Sequence, residues 1–305
     1  MFTETRLNQL FQTAPRIPYN AQSRFVFMSD CHRGTGNWSD NFLKNQHLFS
    51  AALTYYYQNL FSYIELGDGD ELWENRDMKQ IIHIHSETFE MMAKFFREGR
   101  LFMLYGNHDR IKENQKFLYR NCHEYYCENE CCNIPLLPGL CVYEILVLKN
   151  ISTETQIFLF HGHQGDLLND TLWKCSRSLV RYLWRPLELL AFHDPTSAAK
   201  NNTKKGAVEK RLSAWSSGHH QILIAGHTHR PRFPTDGESL YFNCGSCVHP
   251  LGITALEMIG DEFSLVKWSV RSKRDRSLYV DRTVLNGPLN PFSFLKTGND
   301  KILSH

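Results

Sequence analysis

The chain has 305 residues, 42% of them hydrophobic and 22% charged, a balance ordinary for a globular protein and a length that suits one large domain or two modest ones. Lys and Arg total 34 against 32 Asp and Glu, so the formal charge of +2 gives no global field to recruit nucleic acid or a membrane, and any basic patch is local. No apolar run reaches the length of a transmembrane span, and residues 1–12 lack the apolar core of a signal peptide.

An amphipathic opening helix is predicted, broken by Pro15 and Pro18 before a first strand over residues 24–29. Phe42, Leu43, Leu48, Phe49, Ala52 and Leu53 fall at helical spacing within residues 40–59, and a strand follows at 63–66. Residues 77–97 read as one helix stopped by Gly99, ahead of a strand at 101–105. Strands alternating with helices imply crossover units and a largely parallel sheet. Residues 141–148 and 156–160 read as neighbouring strands joined by a polar turn at 150–154.

Residues 166–220 contain no strand pattern. Leu179, Val180, Leu183, Leu187, Leu190 and Ala191 form an apolar stripe, Lys174, Arg177, Arg181 and Arg185 a basic one, and a second helix is expected at 204–215. The segment is either a two-helix insertion with a solvated basic face or a cap over the functional site, its arginines facing an anionic substrate. A strand at 222–225 precedes a β-rich stretch with strands at 239–242, 252–258, 262–270 and 277–284. The second half is thus expected to build its own sheet, packed on the first as a sandwich with helices outside. The predicted organisation is one domain over residues 1–285, an insertion at 167–220 and a loosely held tail at 286–305.

Nine cysteines without an export signal read as reduced thiols of a cytoplasmic protein. Neither the group Cys122, Cys127, Cys131 and Cys132 nor Cys244-Gly-Ser-Cys247 matches a regular paired zinc pattern.

Five polar clusters carry the chemistry: Asp30-Cys31-His32, Gly67-Asp68-Gly69-Asp70-Glu71, Gly106-Asn107-His108-Asp109, His161-Gly162-His163 and Gly226-His227-Thr228-His229. Each follows an apolar run that reads as a buried strand, and each offers Asp, Asn or His, the ligand types of nitrogen- and oxygen-loving divalent metals. Five strand ends bearing ligands point to one site at the carboxyl edge of a sheet. His83, His85, His123, His193, His219 and His220 lie outside these clusters and read as ordinary core or surface residues.

The ordered set D-x-H, G-D-x-x-[DE], G-N-H-D, H-G-H and G-H-T-H resembles the calcineurin-like metallophosphoesterases over residues 24–270. The resemblance implies an α/β fold of two mixed β-sheets packed as a sandwich flanked by helices. It implies two divalent metal ions (Mn, Fe or Zn), one held by Asp30, His32 and His229, the other by Asn107, His161 and His227, with Asp68 bridging them. Such ions sit about 3.5–4 Å apart, acidify a bridging water, bind phosphoryl oxygens and neutralise developing charge. By the same resemblance His108 is the acid at the leaving oxygen and Glu71 its partner, with Asp70 beside it as a rival. Asp109 shapes the loop and Asn107 also contacts substrate; His163 either contacts substrate or supports the metal ligands, and Arg177 and Arg181 are substrate-side positions if the insertion is a cap.

The forms G-D-G-D-E-L-W at Gly67 to Trp73 and G-H-T-H-R-P at Gly226 to Pro231 are similar to bacterial UDP-2,3-diacylglucosamine diphosphatases and their relatives. Two departures stand against that substrate: His108 lies where those enzymes typically have arginine, and H-G-H-Q-G-D replaces H-G-D. The expected substrate is a small phosphate or pyrophosphate ester, lipid-linked or nucleotide, and no extended nucleic acid. Alternative readings are a protein Ser/Thr phosphatase, disfavoured by Leu72 where that group carries an arginine; a nuclease, disfavoured by the short basic stripe; and a metal-held scaffold that binds a partner with little activity.

Overall fold

The computed structural model describes residues 2–127, 130–164, 178 and 202–294. Helix α1 (Phe2–Thr13) leads into β1 (Arg16–Tyr19) and β2 (Arg24–Met28). Then come α2 (Gln46–Gln58), β3 (Ser62–Leu66), α3 (Met78–Ile84), α4 (Ser86–Arg97), β4 (Leu101–Leu104) and α5 (Gln115–Cys122). A hairpin of β5 (Glu124–Cys127) and β6 (Cys132–Pro135) precedes β7 (Val142–Tyr143), β8 (Ile145–Asn150) and β9 (Gln156–Phe160). Beyond them lie α6 (Asn202–His219), β10 (Ile222–Ala225), β11 (Tyr241–Asn243), β12 (Ile253–Ile259), β13 (Glu262–Ser272) and β14 (Leu278–Leu289).

Two mixed sheets form the centre. One runs β14-β13-β12-β2-β3-β4-β7 and the other β1-β8-β9-β10-β11. The alternation of each strand explains why they stack. In β2, Phe25 and Phe27 point between the sheets, where they join Ile64, Leu66, Leu146, Leu159, Ile224 and Phe242. Val26 and Met28 point the other way, under Phe49, Leu53, Phe89, Met92 and Phe95 of α2 and α4. On the far side Val147, Phe158, Leu223 and Tyr241 are covered by Leu7 and Leu10 of α1 and Leu212 and Trp215 of α6. Strands buried on both faces read as continuous apolar runs, which is how they look in the sequence.

Several expectations are corrected. The helix expected over 40–59 is delayed, because Asp40 accepts the backbone N–H groups of Gly36, Phe42 and Leu43 and fixes a turn ahead of α2. The single helix over 77–97 is two, divided at His85, whose buried ring bonds Asp40 at 2.9 Å from between α3 and α4. Residues 141–148 change sheets: β7 pairs with β4, while β8 pairs with β1 and β9. The C-terminal strands build no sheet of their own, since β12 pairs antiparallel with β2 and extends the first sheet.

The tail expected from residue 286 begins inside β14, and Phe292 beyond it is buried in the inter-sheet core. The last part of the expected insertion, α6, is a layer of the sandwich. Arg177, Arg181, Arg185 and the rest of the arginine-striped segment lie outside the described residues. No helix among the described residues is long and apolar enough to cross a membrane.

Candidate metal centre

The carboxyl ends of β2, β3 and β4 meet those of β9 and β10 at one edge of the sandwich. Each strand stops by turning its backbone sharply. Asp30, His32, Asp68, His227 and His229 all have positive φ, between 50° and 67°. Few residues other than glycine adopt that region, and its cost is tolerated where surrounding structure holds a functional geometry. Cross-loop hydrogen bonds do the holding: Asp30 N–H to Gly67 at 3.1 Å, His32 N–H to Asp68 at 2.9 Å and Gly226 N–H to His161 at 3.0 Å. Gly106 admits no side chain, since a Cβ there would stand 2.1 Å from Asp68 Oδ1.

The side chains gather in two adjoining groups, Asp30 with His32 and His229, and Asp68 with His161 and His227, while a third group joins His32 to Glu71 and His108. His229 Nε2 is 3.0 Å from Asp30 Oδ1, and His161 Nε2 is 3.1 Å from Asp68 Oδ2. His32 Nε2 lies between the groups, 3.8 Å from Asp30 and 3.9 Å from Asp68. One oxygen of each carboxylate is already engaged. Asp30 Oδ2 accepts from the Ser29 hydroxyl and the His227 N–H, and Asp68 Oδ1 from the His108 N–H. His32 Nε2 and Asn107 Oδ1 are buried without a hydrogen-bond partner among the described residues, and Asp30 Oδ1 and His161 Nε2 are buried with only the ion-pair neighbours just named. Buried polar atoms are rarely left so, and an ion is one way to satisfy them.

The far ring nitrogens are fixed as a metal-ligating histidine requires. His161 Nδ1 bonds the Leu66 carbonyl at 2.9 Å, and His32 Nδ1 bonds Glu71 Oε2 at 2.9 Å. The residues present therefore fit divalent cations. The charges of these groups act strongly on one another. Burial alone would raise Asp30 and Asp68, yet the neighbouring histidines hold both well below the usual carboxylate range. Burial opposes the charged form of His161, but Asp68 and Asp30 push it up to about 9. His227, buried and facing the His161 charge, falls to about 4.

The sequence shows a family. The profile described as calcineurin-like phosphoesterase matches residues 23–231. The chain belongs to that family. Among curated proteins none matches in sequence. Among solved structures this family member is similar to Vps29 of Chaetomium thermophilum, at 12% identity over 87% of this chain and 96% of that one, with a TM-score of 0.41. It is also similar to GAP50, the anchor in the inner membrane complex of Plasmodium, at 10% identity over 91% and 94%, with a TM-score of 0.39.

Around the two groups, His108 Nδ1 bonds Glu71 Oε1 at 2.8 Å, so Glu71 serves both His108 and His32. Against the burial that would lower it, the Glu71 and Asp68 charges raise the His108 pKa. The His108 ring stacks on Trp73 at 4.3 Å and keeps an exposed edge. Asp70 turns away to Arg33 and Lys112. Asp109 collects the N–H groups of Gly106, Asp68 and Gly69 and the Lys112 ammonium at 2.7 Å. His163 is fully buried beside His161 and His227, and burial with their charges holds its pKa well below the usual value.

Sequence reading passed over Arg33, Glu65, Lys112 and Asn243. Arg33 makes a two-pronged bond to Glu65, at 2.8 and 2.9 Å, and a third to Asp70 at 2.7 Å. A glutamate in the middle of the apolar run Ser62–Leu66 was the available signal. Asn243, at the end of β11, donates to the Gly226 carbonyl at 2.6 Å and steadies the G-H-T-H turn. Nothing in the sequence near it marks that role. Among the described residues no cysteine joins a group that could hold a metal, and those described are free.

Proposed function

We propose that this protein is a dinuclear metal-dependent phosphoesterase that hydrolyses a small phosphate or pyrophosphate ester. The observation that carries this reading is the set of orphaned buried ligand atoms flanking Asp68. Asp30, His32 and His229 would hold one cation, Asn107, His161 and His227 the other, and Asp68 would serve both. When bound, two such cations (Mn, Fe or Zn) supply activation of water and neutralisation of phosphoryl charge.

The chain's own groups supply the rest. His108, oriented by Glu71 at Nδ1 and by the Trp73 face and partly exposed, would donate a proton from Nε2 to the departing oxygen. Glu71 keeps the imidazole charged until that transfer. Asn107 and His163 would contact the phosphoryl group, and Arg177 and Arg181, outside the described residues, would bind the anionic remainder of the substrate. The G-D-G-D-E-L-W and G-H-T-H-R-P forms favour the UDP-2,3-diacylglucosamine diphosphatase-like branch for general style, while His108 and His163 favour a different ester from the lipid precursor. The free thiols fit a reducing compartment such as the cytoplasm.

The test is metal analysis of the purified protein together with hydrolysis of an activated aryl phosphate and a panel of nucleotide and sugar phosphates. The reading expects bound metal, activity restored after chelation by one of the three cations, and neither in Asp68→Ala. A folded protein that binds none of these cations sinks it.

A further inference from the structure

The long hairpin of β13 and β14 outruns the sheet it belongs to. β12 pairs with β13 only as far as Trp268, so Ser269–Ser272 have β14 alone as neighbour. Every residue from 270 to 280 is exposed. Opposite residues in an antiparallel pair share a face. Val270 stands opposite Val280 and Ser272 opposite Leu278, on the face where Trp268 stands opposite Arg282. Nearer the sheet that face is covered: Trp268 packs edge-on against Tyr55 and Tyr56 of α2. Past the helix the apolar stripe continues uncovered, with Leu278 72%, Val270 55% and Val280 40% exposed.

The tip beyond it is cationic. Arg271 is engaged by Asp281 at 2.9 Å, and Asp275 by the Ser277 N–H and hydroxyl. Lys273, which lies 5.5 Å over the Tyr279 ring, Arg274 and Arg276 remain at the turn. An arm with an apolar face and a cluster of cations at its end is complementary to one kind of surface: apolar side chains enter the interfacial layer while cations meet anionic headgroups. A second copy of the chain fits worse, because a twofold contact of two such tips brings like charges together.

We propose that the β13–β14 arm docks on an anionic lipid bilayer. The inference does not rest on the phosphoesterase reading, because none of these residues belongs to the metal centre. The full-length protein is sedimented with phosphatidylcholine vesicles, with and without phosphatidylglycerol, over a salt series. Binding should require phosphatidylglycerol and weaken with salt. Each cation near such a surface contributes about a five-fold factor, so Lys273→Gln, Arg274→Gln and Arg276→Gln together should lower partitioning about 10²-fold. Val270→Ser, Leu278→Ser and Val280→Ser together should lower it on the order of tenfold. Both variants should keep the parent's thermal midpoint and its hydrolysis of a soluble ester. Absence of binding to anionic vesicles, or equal binding by parent and both variants, overturns the proposal. A dimer that the apolar variant converts to monomer, with no vesicle binding by either, also overturns it and assigns the face to a second copy.

Discussion

Glu71 is the residue on which the two proposed tasks meet. One oxygen fixes His32, whose other nitrogen lies among the candidate ligands, and both lie within reach of His108, the proposed acid. Glu71→Gln should therefore weaken metal binding about 10–100-fold, as loss of a ligand's outer partner does, and lower turnover as well. His108→Ala is expected to separate the two: metal content stays, while turnover on esters with poor leaving groups drops about 10²–10⁴-fold. Equal activity on such esters would remove His108 from the acid role. A pH prediction belongs to the metal-free protein. His161, with its pKa raised to about 9, contributes stability that is complete below its unfolded value of 6.5 and lost as pH rises through 9. Melting of the chelated protein should accordingly move to lower temperature between those limits. Metal competes for the same nitrogen, so its affinity should rise over the same range.

At the scale of elements, the strands that end in ligands were legible because each is an apolar run followed at once by glycine, aspartate or histidine. The pairing was less so. Whether 141–148 is one strand or two depends on a crossing between sheets at a single residue, Glu144, and no local pattern encodes that. The break at His85 escaped for a similar reason, since its cause is Asp40, forty-five positions earlier. The helix α6 was legible as a helix, but no local pattern showed that the surface it covers is the second sheet. Its place can be tested. Trp215 stacks on Phe158 and donates to Asn8 at 2.9 Å, so Trp215→Ala should cost about 3–5 kcal/mol in stability. KM for an anionic ester should not change; a large rise in KM at unchanged stability would return α6 to the substrate.

The whole molecule hangs its site on buried charge as well as on apolar layers. Arg33, Glu65, Asp70, Lys112 and Asp109 form a connected set beneath the loops, all buried. Removing one partner from such a set leaves the others uncompensated, so Glu65→Leu should cost about 3–5 kcal/mol in denaturant melts. A loss below 1 kcal/mol, roughly that of an exposed pair, would show that the set is solvated.

The two sheets supply the candidate centre jointly, Asp30, His32 and Asp68 from one and His161, His227 and His229 from the other. This arrangement sets an order in time. During synthesis the first three strand ends are finished long before residue 229 exists, and no half of the chain owns a complete ligand set. Cations held by these residues could enter only once the faces have met, so their uptake should lag behind sheet formation during refolding. The rate of backbone ordering should be the same with or without metal, and the last slow rise in activity should depend on metal concentration. In that sense a metal bound there would act as a seal on a finished fold, applied last and absent from any chain whose two faces failed to join.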